Sequence, residues 1–110
     1  ERCVCVADVG TVVNPLGVDA QLQGGTVDGI STALGLEITV ADGRIQQRNF
    51  NDYRLLRMPD APAVGTHLMA ATFPPSGARE MGIPSAAPAL ANAIHAATGR
   101  RLRDLPLRRS

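Results

Sequence analysis

Glu80 and the stretch Gln21-Leu-Gln-Gly-Gly-Thr-Val-Asp-Gly29 are the residues of this sequence best suited to chemistry. Glu80 lies in a segment, residues 73–84, too dense in proline and glycine for regular structure, and it precedes a helical pattern. A carboxylate there is held beside outward-pointing helix N-terminal amides, which stabilise an anion and can present a general base to a ligand. An ordinary surface glutamate at a helix start is the plainer alternative. In the second stretch, Gln21 can both donate and accept hydrogen bonds, which suits an amide-edged ligand. Gly24 and Gly25 beside it permit close contact. A helix packed tightly on a sheet explains the same glycines. Their spacing matches neither a dinucleotide fingerprint nor a phosphate loop.

The remaining reactive types are scattered. His67 and His95 each stand without a neighbour at ligand spacing, and no Ser-His-Asp or Cys-His arrangement is legible. Asp52-Tyr53 reads as a hydrogen-bonded turn before it reads as a catalytic pair. Cys3 and Cys5, one residue apart on a strand, share a face, are too close for an unstrained disulfide, and cannot complete a zinc site. No protein-held metal is expected.

Several elements must position these residues. Residues 2–9 form an apolar run of strand type closed by Gly10. Asn14 is an N-cap with Pro15 at the first helical position, and the helix covers residues 16–34 with Gly35 as its stop. Gly24, Gly25 and Gly29 inside it cost about 1 kcal/mol each relative to Ala. Close approach of a backbone or a ligand would offset this, and a break at Gly24-Gly25 is the alternative. Residues 37–40 and 44–48 flank the turn Ala41-Asp42-Gly43 as a hairpin. Residues 49–58 are an irregular loop and residues 67–72 a further strand. Ser85 caps a second helix over residues 86–98, with Pro88 in its first turn and Gly99 at its end. The order predicts one α+β unit over residues 1–110, a mixed or antiparallel sheet with two helices.

Composition narrows the function classes. Hydrophobic residues make up 45% and aromatic residues 3% of the chain, with no tryptophan. A core of Ala, Val and Leu offers little apolar area per residue at roughly 25 cal/mol per Å². Part of the core is therefore expected from other sequence, and the abrupt opening strand reads as that of a fragment or a processed subunit. A net charge of +1 gives no global field toward nucleic acid or acidic membranes. All eleven basic residues are arginines, five of them between Arg100 and Arg109, a solvated tail or a docking strip for an acidic partner. No apolar run is long enough to span a bilayer, and the compartment stays open.

Four segments in order carry a resemblance. Asp8-Val-Gly-Thr-Val-Val-Asn-Pro15 resembles a strand-to-helix entry, and Gln21-Leu-Gln-Gly-Gly-Thr-Val-Asp-Gly-Ile30 a glutamine- and glycine-rich helix. Asn49-Phe-Asn-Asp-Tyr-Arg-Leu-Leu-Arg-Met58 is similar to a loop after a hairpin, and Ala87-Pro-Ala-Leu-Ala-Asn-Ala-Ile-His-Ala-Ala-Thr-Gly99 to a final helix. Together they resemble the C-terminal segment of the molybdopterin-binding large subunit of molybdenum hydroxylases, the xanthine dehydrogenase and aldehyde oxidase family. The nearest branch is that of isoquinoline oxidoreductase and bacterial aldehyde dehydrogenase large subunits.

The resemblance implies hydroxylation of an aldehyde or N-heterocycle with oxygen derived from water. Glu80 would be the general base, and Gln21, Gly24 and Gly25 would contact a molybdenum-molybdopterin cofactor, in bacteria its cytosine dinucleotide form. Iron–sulfur clusters would sit on a partner subunit. The other partners implied are the remainder of the large subunit and a small-molecule substrate, and the isolated piece would be inactive. The family pattern has small residues before this glutamate and proline after it, whereas this sequence has Arg79 and Met81. Arg79 either pairs with Glu80, opposing proton uptake, or points away. A non-catalytic scaffold that kept the fold is the competing expectation.

Overall fold

The computed structural model describes residues 2–107. Along the chain its elements are β1 (Arg2–Ala7), α1 (Pro15–Gly35), β2 (Val40–Ala41), β3 (Arg44–Ile45), β4 (Ala63–Leu68) and α2 (Gly82–Thr98). Single 3-10 turns stand at Phe50–Asp52 and Met58–Asp60. The α+β class read from the sequence holds. Its sheet takes the form of two separate ribbons, β1 with β4 in parallel and β2 with β3 antiparallel.

Asn14 and Pro15 start α1 as their types predict. Asn14 Oδ1 accepts from the Gly17 N–H at 3.1 Å, and Pro15 fills the first helical position, where its missing donor costs nothing. The helix passes through Gly24 and Gly25 without the break that the sequence left open. Its end differs from expectation. Gly35 is still helical, and the extended Leu36 closes the helix by donating to Thr32 O at 3.0 Å.

Two of the three interior glycines are explained by α2. A Cβ on Gly29 would stand 2.7 Å from Ala86 Cβ, and one on Gly82 would stand 2.6 Å from the backbone nitrogen of Thr26. Gly25 faces Gly82 Cα at 3.5 Å. The helices thus meet backbone to backbone, and dense packing offsets the low helix propensity of these residues. Gly24 is different. Nothing lies within 4 Å of the place its Cβ would occupy.

The same crossing corrects the start of α2. The helix begins at Gly82 rather than after Ser85, which lies inside it, and Pro88 is an interior proline. Packing of Gly82 against α1 places the first turn here, and Ile83 N–H donates to Glu80 O at 3.0 Å to form it. Pro84 falls in that first turn, where a missing N–H would be unpaired anyway. Gly99 ends the helix in the left-handed region at φ 74°, as predicted.

The later strand also moves. It occupies Ala63–Leu68 instead of residues 67–72, because pairing with β1 runs from Arg2↔Ala63 to Ala7↔Leu68 and the chain then leaves the ladder. The hairpin turns at Asp42 and Gly43, both with positive φ (52° and 70°), as a two-residue turn requires. It is shorter than predicted because the Gln47 side chain, accepting from Thr39 N–H at 2.7 Å, takes the place of a ladder bond.

On β1 the alternation turns Cys3, Cys5 and Ala7 toward the interior, while Val4 and Val6 stay 50% and 60% exposed. Both cysteines are free and half-buried. Ala7, Val9 and Leu22 form the buried cluster, with Cys5, Val18, Leu68 and Ala78 packed against it. Thr66 Oγ1 donates to the Asp19 carboxylate and ties β4 to α1. Leu107 is buried, while Arg108 and Arg109 of the basic tail lie outside the described residues.

Replacing Gly82 with Ala should loosen the helix crossing by about 1–3 kcal/mol, the usual range for an overpacked core. Gly24→Ala should instead protect α1 by up to about 1 kcal/mol, since it meets no neighbour and gains propensity. Amide hydrogen exchange of α1 in the complete subunit freed of cofactor reads both. Equal effects from the two changes would contradict the crossing.

Candidate functional site

Glu80 is placed by a loop that doubles back on the segment after β1. Leaving β4, Met69 N–H donates to Ala7 O at 2.9 Å. The chain then turns, so that the N–H and hydroxyl of Thr11 both donate to Phe73 O, at 2.9 and 2.8 Å, and Ser76 N–H donates to Val9 O at 2.9 Å. Gly10 allows this approach. It has φ +72°, and a Cβ on it would collide with the Pro74 carbonyl. Ala78 then packs on the core cluster, which brings residues 79 and 80 onto the surface of α1.

There the loop is fastened by one side chain. Gln21 Nε2 donates to Arg79 O at 2.9 Å, across 58 residues of sequence. Glu80 follows at once, two residues before α2. On α1, Gln21, Gly24, Gly25 and Asp28 recur at helical spacing and share a face. A cavity of about 240 Å³ opens between that face and the loop, lined by Gln21, Gly24, Gly25, Asp28, Arg79 and Glu80 among others. All four site residues read from the sequence therefore meet in one place.

The charged groups of the cavity are not spent on one another. Glu80, Arg79 and Asp28 are exposed. Among the described residues, none of the three side chains makes a hydrogen bond or an ion pair. Of the two alternatives for Arg79, pairing with Glu80 is not the one realised. The amide of Gln21 gives one of its two N–H groups to the loop, and its acceptor Oε1 takes no hydrogen bond among the described residues. Asp28 was not singled out from the sequence. Its signal was there, seven residues after Gln21 on one helical face, but the glycines around it drew attention to backbone approach instead.

A larger groove of about 690 Å³ lies on the other side of Gly24 and Asp28, walled by Leu55, Leu56, Met58 and Pro62. It is mostly apolar, with Gln23, Asp28 and Ser31 as its polar lining residues and no basic residue.

The other candidates stay apart. His67 is exposed on β4, and Arg101 Nη2 sits 3.2 Å from Nδ1 of His95. Asp52 accepts from the N–H groups of Arg48 and Asn49 at 2.7 and 3.2 Å. The hydroxyl of Tyr53 lies 3.3 Å from Ser31 Oγ, so this pair serves the turn. Among the described residues, no three His, Cys, Asp or Glu side chains cluster so as to hold a metal ion, and no helix is long and apolar enough to cross a membrane.

Comparison with known proteins gives the same answer from several directions. The family model described as "Molybdopterin cofactor-binding domain" matches residues 1–62. The isoquinoline 1-oxidoreductase subunit beta of Brevundimonas diminuta is 40% identical over 97% of this chain and 14% of its own length. The membrane-bound aldehyde dehydrogenase [pyrroloquinoline-quinone] of Gluconacetobacter polyoxogenes is 36% identical over 98% of this chain and 14% of its own length. The crystal structure of quinoline 2-oxidoreductase from Pseudomonas putida 86 superposes with a TM-score of 0.75 at 26% identity, over 94% of this chain and 14% of that one. The chain thus spans about one seventh of the length of these relatives. With the relatives, the superposed fold and the family model in agreement, the chain belongs to the molybdenum hydroxylases, within their molybdopterin cofactor-binding domain.

Proposed function

We propose that this chain is the C-terminal cofactor-binding part of a molybdenum hydroxylase that oxidises an aldehyde or N-heterocycle with oxygen derived from water, with Glu80 as general base. The observation that carries this reading is the meeting of Gln21, Gly24, Gly25 and Glu80 around one cavity. Those residues come from two segments some 55 positions apart, and no packing need of the chain explains Gly24.

The residues present suit a molybdopterin group. Gly24 leaves an open patch of α1 that a side chain would fill, and Gln21 Oε1 can accept from an N–H edge. Gly25 adds a bare stretch of helix, though its own Cβ direction is turned to Gly82. When bound, the cofactor supplies the two-electron redox chemistry. Glu80 takes up the proton released at the reacting oxygen, a task open to it because no group among the described residues occupies its carboxylate. At about 240 Å³ the cavity falls below the usual range of roughly 300–1,000 Å³ for a small-molecule site. The missing walls would come from the remainder of the large subunit, and an iron–sulfur partner subunit would carry electrons away. The same reading takes the cofactor in its cytosine dinucleotide form.

The scaffold alternative rested on Arg79 quenching Glu80, and that pairing is not formed.

Glu80→Gln in the complete enzyme should lower kcat by about 10²–10⁴-fold while molybdenum content stays constant. Full activity in that variant would remove the base assignment. Gly24→Ala, harmless to folding, should reduce the molybdenum and pterin retained after purification, by roughly the 1–3 kcal/mol of a small overpacking change. Unchanged loading would place the cofactor elsewhere.

A further inference from the structure

Arg79 lines the cavity, and the proposed chemistry gives it no task. Its backbone carbonyl is held by Gln21 at 2.9 Å, so the root of its side chain is set relative to both α1 and the adjacent Glu80. Among the described residues it is the sole basic residue lining the cavity. Asp28 and Glu80 border the same cavity, yet it forms an ion pair with neither. The three charges surround an open volume instead of neutralising one another.

The balance of donors and acceptors sharpens this. Gln21 gives one of its two amide N–H groups to the loop, and Asp28 and Glu80, when ionised, only accept. Beyond the second amide hydrogen of Gln21, the unspent side-chain donors among the residues lining the cavity belong to Arg79. A guanidinium presents five N–H groups in a planar fork that fits a carboxylate or phosphate in bidentate fashion. Asp28 and Glu80 repel an anion, so an oxyanion held in this cavity depends on Arg79.

We infer that Arg79 binds an anionic oxygen group of the ligand in the Glu80 cavity and so selects for ligands that carry one. This deepens the proposed function and rests on it for the identity of the cavity. The same chemistry has two sources, a carboxylate on the substrate or a phosphate on the cofactor. In the first case Arg79 sets specificity, and in the second it holds the cofactor.

The test uses the complete holoenzyme as wild type, Arg79→Gln and Arg79→Lys. Equilibrium binding of the three pyridine monocarboxylates is compared with that of their neutral carboxamides, and molybdenum and pterin contents are measured in each protein. For a substrate carboxylate, at least one acid should bind wild type about 10–100-fold more tightly than its amide, the span of a charge-assisted hydrogen bond. Arg79→Gln should abolish that preference without weakening the amide or lowering cofactor content, and Arg79→Lys should keep part of it. For a cofactor phosphate, acid and amide should bind alike, and pterin content should fall in Arg79→Gln with partial rescue in Arg79→Lys. No acid preference in wild type together with unchanged pterin in Arg79→Gln overturns the inference. Binding needs no turnover, so the outcome is separable from the role of Glu80. If Glu80→Gln stays fully active while the Arg79 effects appear, the base assignment fails and the anion site stands.

Discussion

Backbone contact between α1 and α2 is the constraint from which the rest of the structure follows. Gly29 against Ala86 and Ile83, and Gly82 against Thr26 and Leu22, leave no room for a side chain on either glycine. Because α2 can begin only where Gly82 fits onto α1, the residues before it are drawn to the same helix, and Glu80 arrives beside Gln21. A bulkier crossing would push α2 outward and open the loop. The glycines that weaken α1 as an isolated helix thus set the position of the carboxylate. Local propensity is given up so that the tertiary contact can be close.

Much of this was readable from residue types, and the failures share one cause. The Asn14-Pro15 start, the Asp42-Gly43 turn and the Gly99 end are each governed by local backbone chemistry, which a sequence displays directly. The misplaced boundaries are those decided by partners distant in sequence. The start of α2 answers to α1, and the end of β4 answers to β1, where pairing ceases at Ala7↔Leu68. Ser85 has the composition of a cap but lost to the packing of Gly82. The glycines of α1 show the same limit within one element. Type alone cannot separate Gly25 and Gly29, which serve helix contact, from Gly24, which faces open space. Asp28 escaped notice for a related reason, since only the arrival of the loop makes its helix face a cavity wall.

The surface left over has a consistent physical meaning. A parallel pair of strands is ordinarily covered on both faces, yet here α1 covers one, and Val4 and Val6 stand exposed on the other. Phe50 and Met58, at 92% and 89% exposure, add large apolar side chains that the chain itself does not bury. A core of Ala, Val and Leu with one fully buried large side chain, Leu22, is small for 110 residues. These features agree with a chain that spans about one seventh of its relatives' length. The mostly apolar groove beside Gly24 belongs with them, because Leu55, Leu56, Met58 and Pro62 line it and no basic residue does.

That division bears on how the proposed site works. The chain contributes the groups that must be placed with precision, the Glu80 carboxylate and the Gln21 amide, which is hydrogen-bonded to the carbonyl of the residue before Glu80. It doesn't contribute an enclosure, and both Gln21 and Glu80 are exposed. A carboxylate open to solvent shares its acceptor sites with water, which competes with any proton transfer in a defined direction. Positioning and dehydration are therefore separate tasks on this reading. The first is solved within α1, α2 and the loop between β4 and α2, and the second falls to whatever closes over them. Keeping the polar groups on helix surfaces and a doubly anchored loop lets their spacing survive while the cover is assembled, because none of the bonds that fix Glu80 depends on the missing wall.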